Sequence, residues 1–182
     1  MTIILAIIIS ATLALTAYAA WSDWVSLKIP NIIPFSLCML FLSAVILQEF
    51  LLEKDVFYTS LQSQLFAALL VFSVTAVLFS LNVFGAGDAK LLTALSLWTG
   101  FAALPQMIFW MAVVGGVLAA CAIFLKRQKM FPKIPTNFAP QGSWLAQLQA
   151  GRNAVPYGVA IFAGLIFAYG QIGYFNPQFW AG

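Results

Sequence analysis

The chain has 182 residues, of which 63% are hydrophobic and only 7% charged, and it carries a net charge of +3 with no histidine. A soluble globular chain is about 25% charged, so this composition is that of a polytopic membrane protein. It excludes His-based metal sites and Ser–His or Cys–His nucleophilic pairs, and the distant Cys38 and Cys121 form neither a CxxC pair nor a zinc site.

Residues 1–21 form an apolar run ending in Ala17-Tyr18-Ala19-Ala20-Trp21. That ending imitates a signal-peptide cleavage site, but no positive charge precedes the run and its length suits a membrane span. The first span is therefore read at about 2–21. Asp23 follows in a polar connection that ends at Ile29-Pro30-Asn31, because proline disfavours helical geometry in the residue before it. A second span runs over about 32–52, a polar turn carries Glu49, Glu53, Lys54 and Asp55, and a third span occupies about 61–81.

Next comes Gly85-Ala86-Gly87-Asp88-Ala89-Lys90. An ionisable group inside the membrane costs about 2.5 to 3.5 kcal/mol on insertion scales, so Asp88 is a functional-site candidate by default. The two glycines permit a sharp turn or a close approach where a new helix begins. The apolar run after them, 91–104, has only 14 residues, about 21 Å of helix and too short for a hydrocarbon core of about 30 Å. A fourth span therefore begins near Gly87, over 87–104, and draws Asp88 to the membrane.

Pro105 suits the first turn of a fifth span over 105–125, where Ala112, Gly116 and Ala120 make a stripe of small residues that lets a neighbouring helix pack closely. A hydrophilic loop, 126–153, opens with Lys126-Arg127-Gln128-Lys129 and carries Lys133 and Arg152, with Pro132, Pro135 and Pro140 preventing a long helix. Within it Ser143 is placed to cap a short interfacial helix from Trp144 to Ala150, closed by Gly151. A sixth span, about 154–172, completes an all-α fold.

Seven basic residues, Lys28, Lys90, Lys126, Arg127, Lys129, Lys133 and Arg152, fall on one face and Lys54 alone on the other. That bias makes the first face cytoplasmic and puts both termini outside. A modest charge gathered on one membrane face gives no reason to expect a nucleic-acid partner. Asp23 and Asp88 share the cytoplasmic face, whereas Glu49, Glu53 and Asp55 lie opposite.

Two carboxylates at one membrane edge are what an aspartic protease needs: one, ionised, takes a proton from water and the other, protonated, donates to the scissile carbonyl. If Asp23 follows the C-terminus of one helix and Asp88 opens another, the helix dipoles make Asp88 the base and Asp23 the acid, although such a pair titrates as a unit. Two bland readings stand beside this one. One takes Asp88 as a helix cap or an ion-pair partner of Lys90, and the other takes Lys28 and Lys90 as headgroup anchors.

The pattern resembles a family. Gly85 to Lys90 is similar to the GxGDxK signature of the type IV prepilin peptidases, Asp23 before Ile29-Pro30-Asn31 resembles that family's first aspartate with its IPN tripeptide, and Val155-Pro156-Tyr157-Gly158 resembles its PYG-type segment. The resemblance implies a single peptidase domain over 1–182 that removes the short basic leader of prepilin-like substrates at the cytoplasmic membrane. It implies catalytic Asp23 and Asp88, supported by Gly85, Gly87, Lys90, Lys28, Pro30, Asn31, Pro156 and Tyr157, with no cofactor and no metal. The paired CxxC motifs that accompany N-methylation are absent, so the chain looks like the short peptidase-only forms associated with Flp or tight-adherence pili. The partners implied are the prepilin-like substrate and membrane lipid, with a homodimer allowed. Three alternatives stand: an archaeal preflagellin-type peptidase, a small ion-coupled transporter and a non-catalytic assembly factor. The transporter predicts a midplane polar site and internal repeats, and neither of the last two needs the aspartates to meet.

Overall fold

A computed structural model describes residues 2–51, 60–127, 142–150, 155–176 and 178. They form α1 (Thr2–Ser26), α2 (Ile32–Leu51), α3 (Leu61–Ser80), α4 (Ala86–Arg127), α5 (Trp144–Gln149) and α6 (Tyr157–Ile172), and there is no strand among them. Glu53, Lys54, Asp55, Lys129, Pro132, Lys133, Pro135, Pro140, Gly151 and Arg152, on which part of the topology reading rests, lie outside the described residues.

Helix is what an apolar chain must form in lipid, because every backbone polar group then finds a partner inside its own segment. Stretches Ala6–Ser26, Ile32–Phe50, Leu61–Ser80 and Ala86–Lys126 are long and apolar enough to cross a membrane, and α6 is a shorter apolar helix. Large side chains such as Phe50, Trp21, Phe66 and Phe79 stand exposed on the bundle's outside. Exposure on this scale marks a surface built to face lipid.

The first helix runs further than its apolar pattern indicates. It continues through Asp23 to Ser26 and stops where Leu27 turns left-handed at φ 51°. The Leu27 amide closes the last turn on the Asp23 carbonyl at 2.8 Å, and the Ser22 hydroxyl donates to the Lys28 carbonyl at 2.8 Å. Asp23 therefore sits in the final turn of α1, not in the connection beyond it. Pro30 then opens α2, its carbonyl accepting from the Ile33 amide at 3.1 Å. Asn82, also left-handed at φ 58°, ends α3 as asparagine commonly does.

The break in α4 falls at Gly100, with φ 58° and ψ −175°, and not between 104 and 105; Pro105 lies inside the helical stretch that follows. The reason is local: a positive φ suits glycine, and a Cβ at this position would overlap the Gln64 side chain of α3. The chain doubles back here. Residues before the break run away from Asp88, and residues after it run antiparallel to α6, as three contacts along that helix establish. Gly115 lies against Tyr157 and Ala160, Gly164 lies under the Met107 carbonyl, and Gln171 donates to the Ala102 carbonyl at 3.5 Å.

Gly115 and Gly164 thus make the close helix approach. The stripe of Ala112, Gly116 and Ala120 faces outward, and a Cβ on Gly116 would meet nothing within 4 Å. Helix α1 also runs antiparallel to α6, since Thr12 meets Tyr169 and Asp23 meets Gly158. The core between these helices is formed by Leu37, Leu91, Leu95, Trp98, Met107 and Leu165, with the Trp98 indole donating to the Leu37 carbonyl at 3.3 Å. The result is a bundle with one end that gathers the last turn of α1 and the first turns of α2, α4 and α6.

Candidate active site

At that end a pocket of about 320 Å³ is lined by Asp23, Leu27, Lys28, Ile29, Asn31 and the Gly85–Asp88 segment. Asp23 is buried and shares this pocket with Asp88. Asp23 comes from α1 and Asp88 from the first turn of α4, 65 residues later in sequence. Glu49 belongs to the last turns of α2, at the opposite end of the bundle.

Three glycines clear the space the aspartates occupy. A Cβ on Gly85 would lie 2.6 Å from Oδ2 of Asp88; one on Gly87 would lie 3.2 Å from the Ile29 side chain; one on Gly158 would lie 2.9 Å from Cβ of Asp23. Real Cβ atoms do not tolerate the first and third of these distances. Gly85 and Gly87 thus let the α4 turn fold over Asp88 and let the Ile29-Pro30-Asn31 connection press against α4. The Gly85 carbonyl accepts from the Ala89 amide at 2.9 Å and so starts the helix that presents Asp88.

The carboxyls differ in their partners. Oδ2 of Asp23 accepts from the Gly158 amide at 2.7 Å, which is the free N–H of the first turn of α6. Oδ1 of Asp88 is buried and, among the described residues, has no hydrogen-bond partner. A donor at 2.7 Å favours negative charge on its acceptor, whereas a buried unpaired oxygen disfavours it. The premise of the helix-dipole assignment is therefore corrected: Asp23 lies within α1 and faces the amide end of α6, not only the carbonyl end of its own helix.

The surrounding residues fall into two groups. Lys28 and Asn31 line the pocket, and Lys90 reaches across from α4 to donate to Oδ1 of Asn31 at 3.0 Å, tying the start of α2 to the start of α4. Pro30 acts on the backbone as the opener of α2. Pro156 is buried as the cap residue of α6, and Tyr157 is its first residue. Gly158 closes the Val155-Pro156-Tyr157-Gly158 segment, and nothing in sequence spacing reveals that it meets Asp23 135 residues away. Among the described residues no group of three or more Cys, Asp or Glu stands together as a metal-ligand set.

Beside the pocket, α5 starts at Ser143, whose hydroxyl accepts from the Ala146 amide at 3.3 Å. Its Trp144 ring meets Trp24 of α1 at 4.7 Å, and Trp144 and Leu148 pack with Ala122 of α4. This cluster braces the end of α1 three residues from Leu27.

A bundle of apolar helices long enough to cross a membrane, with two carboxyls lining one pocket at its end, is the build of a membrane protein. The chain matches the sequence model of the Type IV leader peptidase family over residues 3–120, more than half its length, and belongs to that family. Its function is accordingly of the leader-peptidase type. The match includes Asp23, Asp88 and the Gly85–Lys90 segment and stops short of α5 and α6. No curated protein and no solved structure matches the chain.

Proposed function

We propose that the chain is an aspartic endopeptidase that removes the short basic leader of prepilin-like substrates, with Asp23 and Asp88 as the catalytic pair. The observation that carries this reading is that the two aspartates line one pocket in a member of the leader-peptidase family. Water bound between the carboxyls is the nucleophile. The ionised carboxyl removes its proton as it attacks the scissile carbonyl, and the neutral carboxyl donates to the developing oxyanion, so one proton is shared by the pair at the start of the cycle.

The hydrogen bonds favour Asp23 as the ionised member, since among the described residues it accepts from an amide while Oδ1 of Asp88 has no donor, and Asp88 as the acid. This reverses the roles expected from helix ends alone. Lys28 in the pocket, and Lys90 held on Asn31, offer positive charge to a substrate acid near the cleavage point; a glutamate early in the mature apolar segment is the partner the family resemblance implies. The chain acts on peptide bonds without methyl transfer on this reading.

The reading also has six membrane crossings, with α4 counted twice because it turns at Gly100. Its site faces the cytoplasm across the inner membrane and both termini lie outside. Support comes from Lys28, Lys90 and Lys126, which belong to the same end of the bundle as the pocket. The test is co-expression with prepilin-like proteins: wild-type chain shortens the substrate by its leader and Asp88→Asn does not. A leader retained with every prepilin-like partner tried, or lost equally with Asp88→Asn, would overturn the reading.

A further inference from the structure

The two aspartates are held by different parts of the chain, and one contact joins the holders. Asp23 is held by the Gly158 amide, and Tyr157 is the residue before it. Asp88 folds against Gly85, and Phe84 is the residue before that. The Phe84 and Tyr157 rings meet with centroids 5.8 Å apart at a tilt of 59°, within the range in which aromatic pairs attract each other. The Tyr157 ring also lies against the second half of α4, where a Cβ on Gly115 would be only 3.3 Å from it. Neither ring lines the pocket.

We infer that Phe84 and Tyr157 form a clasp that sets the spacing of Asp23 and Asp88, so that Tyr157 is a positioning residue and not a catalytic one. The inference rests on the peptidase reading and adds a part beyond the Gly85–Lys90 segment. Apart from the packing of Leu91 and Leu92 in the core, the turn carrying Asp88 is tied to the rest of the site by the Lys90–Asn31 bond and by the Gly87–Ile29 approach, both on the α2 side. The clasp supplies the tie on the α6 side. What matters in Tyr157 is then its ring and not its hydroxyl, which separates this role from proton transfer.

The experiment is a double-mutant cycle on the purified full chain in lipid, with leader cleavage followed for Phe84→Ala, Tyr157→Ala, the double variant and Tyr157→Phe. Misplacing a reacting group by an ångström costs up to about a hundredfold, so each alanine variant is expected to lower kcat by about tenfold or more with KM within about twofold. The double variant should be no slower than the slower single one, and Tyr157→Phe should keep wild-type kcat. Undiminished kcat in either alanine variant, multiplicative losses, or a Tyr157→Phe as slow as Tyr157→Ala would overturn the clasp while leaving the peptidase reading intact. A second measurement needs no activity. The fluorine resonance of 3-fluorotyrosine at position 157 should move on Phe84→Ala in the Asp88→Asn chain, and an unmoved resonance counts against the clasp whatever the enzyme cleaves.

Discussion

The amide nitrogen of Gly158 stands 2.7 Å from Oδ2 of Asp23, joining the first turn of α6 to the last turn of α1. The contact needs glycine, because a Cβ at 158 would lie 2.9 Å from Cβ of Asp23 and 3.1 Å from its Oδ2. Both partners are buried, where an unmade hydrogen bond costs more than it does in water.

Gly158→Ala should therefore push α6 off α1 at the site and lower kcat by about tenfold to a hundredfold through misplacement of Asp23. Gly116→Ala, whose added Cβ meets nothing within 4 Å, is the matched control and should keep wild-type rates. Steady-state cleavage of a leader-bearing peptide checks both. Equal rates for the two variants would remove Gly158 from the site.

The pH profile of kcat/KM should be bell-shaped. As pH falls, the ionised carboxyl gains its proton and the base is lost; as pH rises, the neutral carboxyl gives up its proton and the acid is lost. The two limbs belong to the Asp23–Asp88 pair as a unit, not to either residue. Replacing either aspartate by asparagine should remove the bell together with the activity, whereas Asp55→Asn should leave both unchanged. A rate with no fall at low pH would contradict the paired-carboxyl account.

Gly100 makes a separate prediction about the fold. Gly100→Ala places a side chain at positive φ and into the Gln64 side chain, and strain of this kind costs about 1 to 3 kcal/mol. Thermal unfolding in detergent should show the loss. Adding Gln64→Ala should recover the part due to overlap and leave the part due to φ. A Gly100→Ala chain as stable as wild type would mean that the turn is made elsewhere.

The buried pair on the opposite half of the bundle should respond asymmetrically. Thr12 donates to the Ile9 carbonyl at 2.7 Å, so the Tyr169 hydroxyl is the donor in the 2.9 Å contact between them. Tyr169→Phe removes one such bond, worth about 1 kcal/mol, while Thr12→Val strands a buried hydroxyl at a cost of about 1 to 3 kcal/mol. Unfolding of the two variants should rank Thr12→Val as the less stable. The reverse order would contradict this account of the pair.

Much of the bundle was legible because lipid permits few structures: apolar runs bounded by polar residues become helices, and α2 and α3 lie close to where hydropathy puts them. The ends were legible only where one residue dictates the backbone, as Pro30 does before α2 and Ser143 before α5. Polar composition misplaced Asp23 in a loop, because the last turn of α1 is held by the Asp23 carbonyl and Ser22 hydroxyl and carries its polar residues within the helix. Pro105 drew the expected boundary five residues past Gly100, since the sequence shows a proline but not the Gln64 side chain that makes glycine necessary. Asp88 and its glycines announced themselves by charge and spacing. Gly158 and Phe84 did not, because what they do depends on neighbours from distant helices.

The most direct test of the central claim is cleavage of a leader-bearing prepilin by purified protein in water enriched in oxygen-18, with wild-type, Asp23→Asn and Asp88→Asn chains in parallel and products read by mass spectrometry. Direct attack by water held between the carboxyls predicts one heavy oxygen in the new carboxylate of the released leader with wild type. It also predicts turnover lower by about 10²- to 10⁴-fold in each asparagine variant, the usual worth of a lost acid or base. Leader release at wild-type rate by a folded Asp23→Asn or Asp88→Asn chain, or a leader without heavy oxygen, would contradict the account.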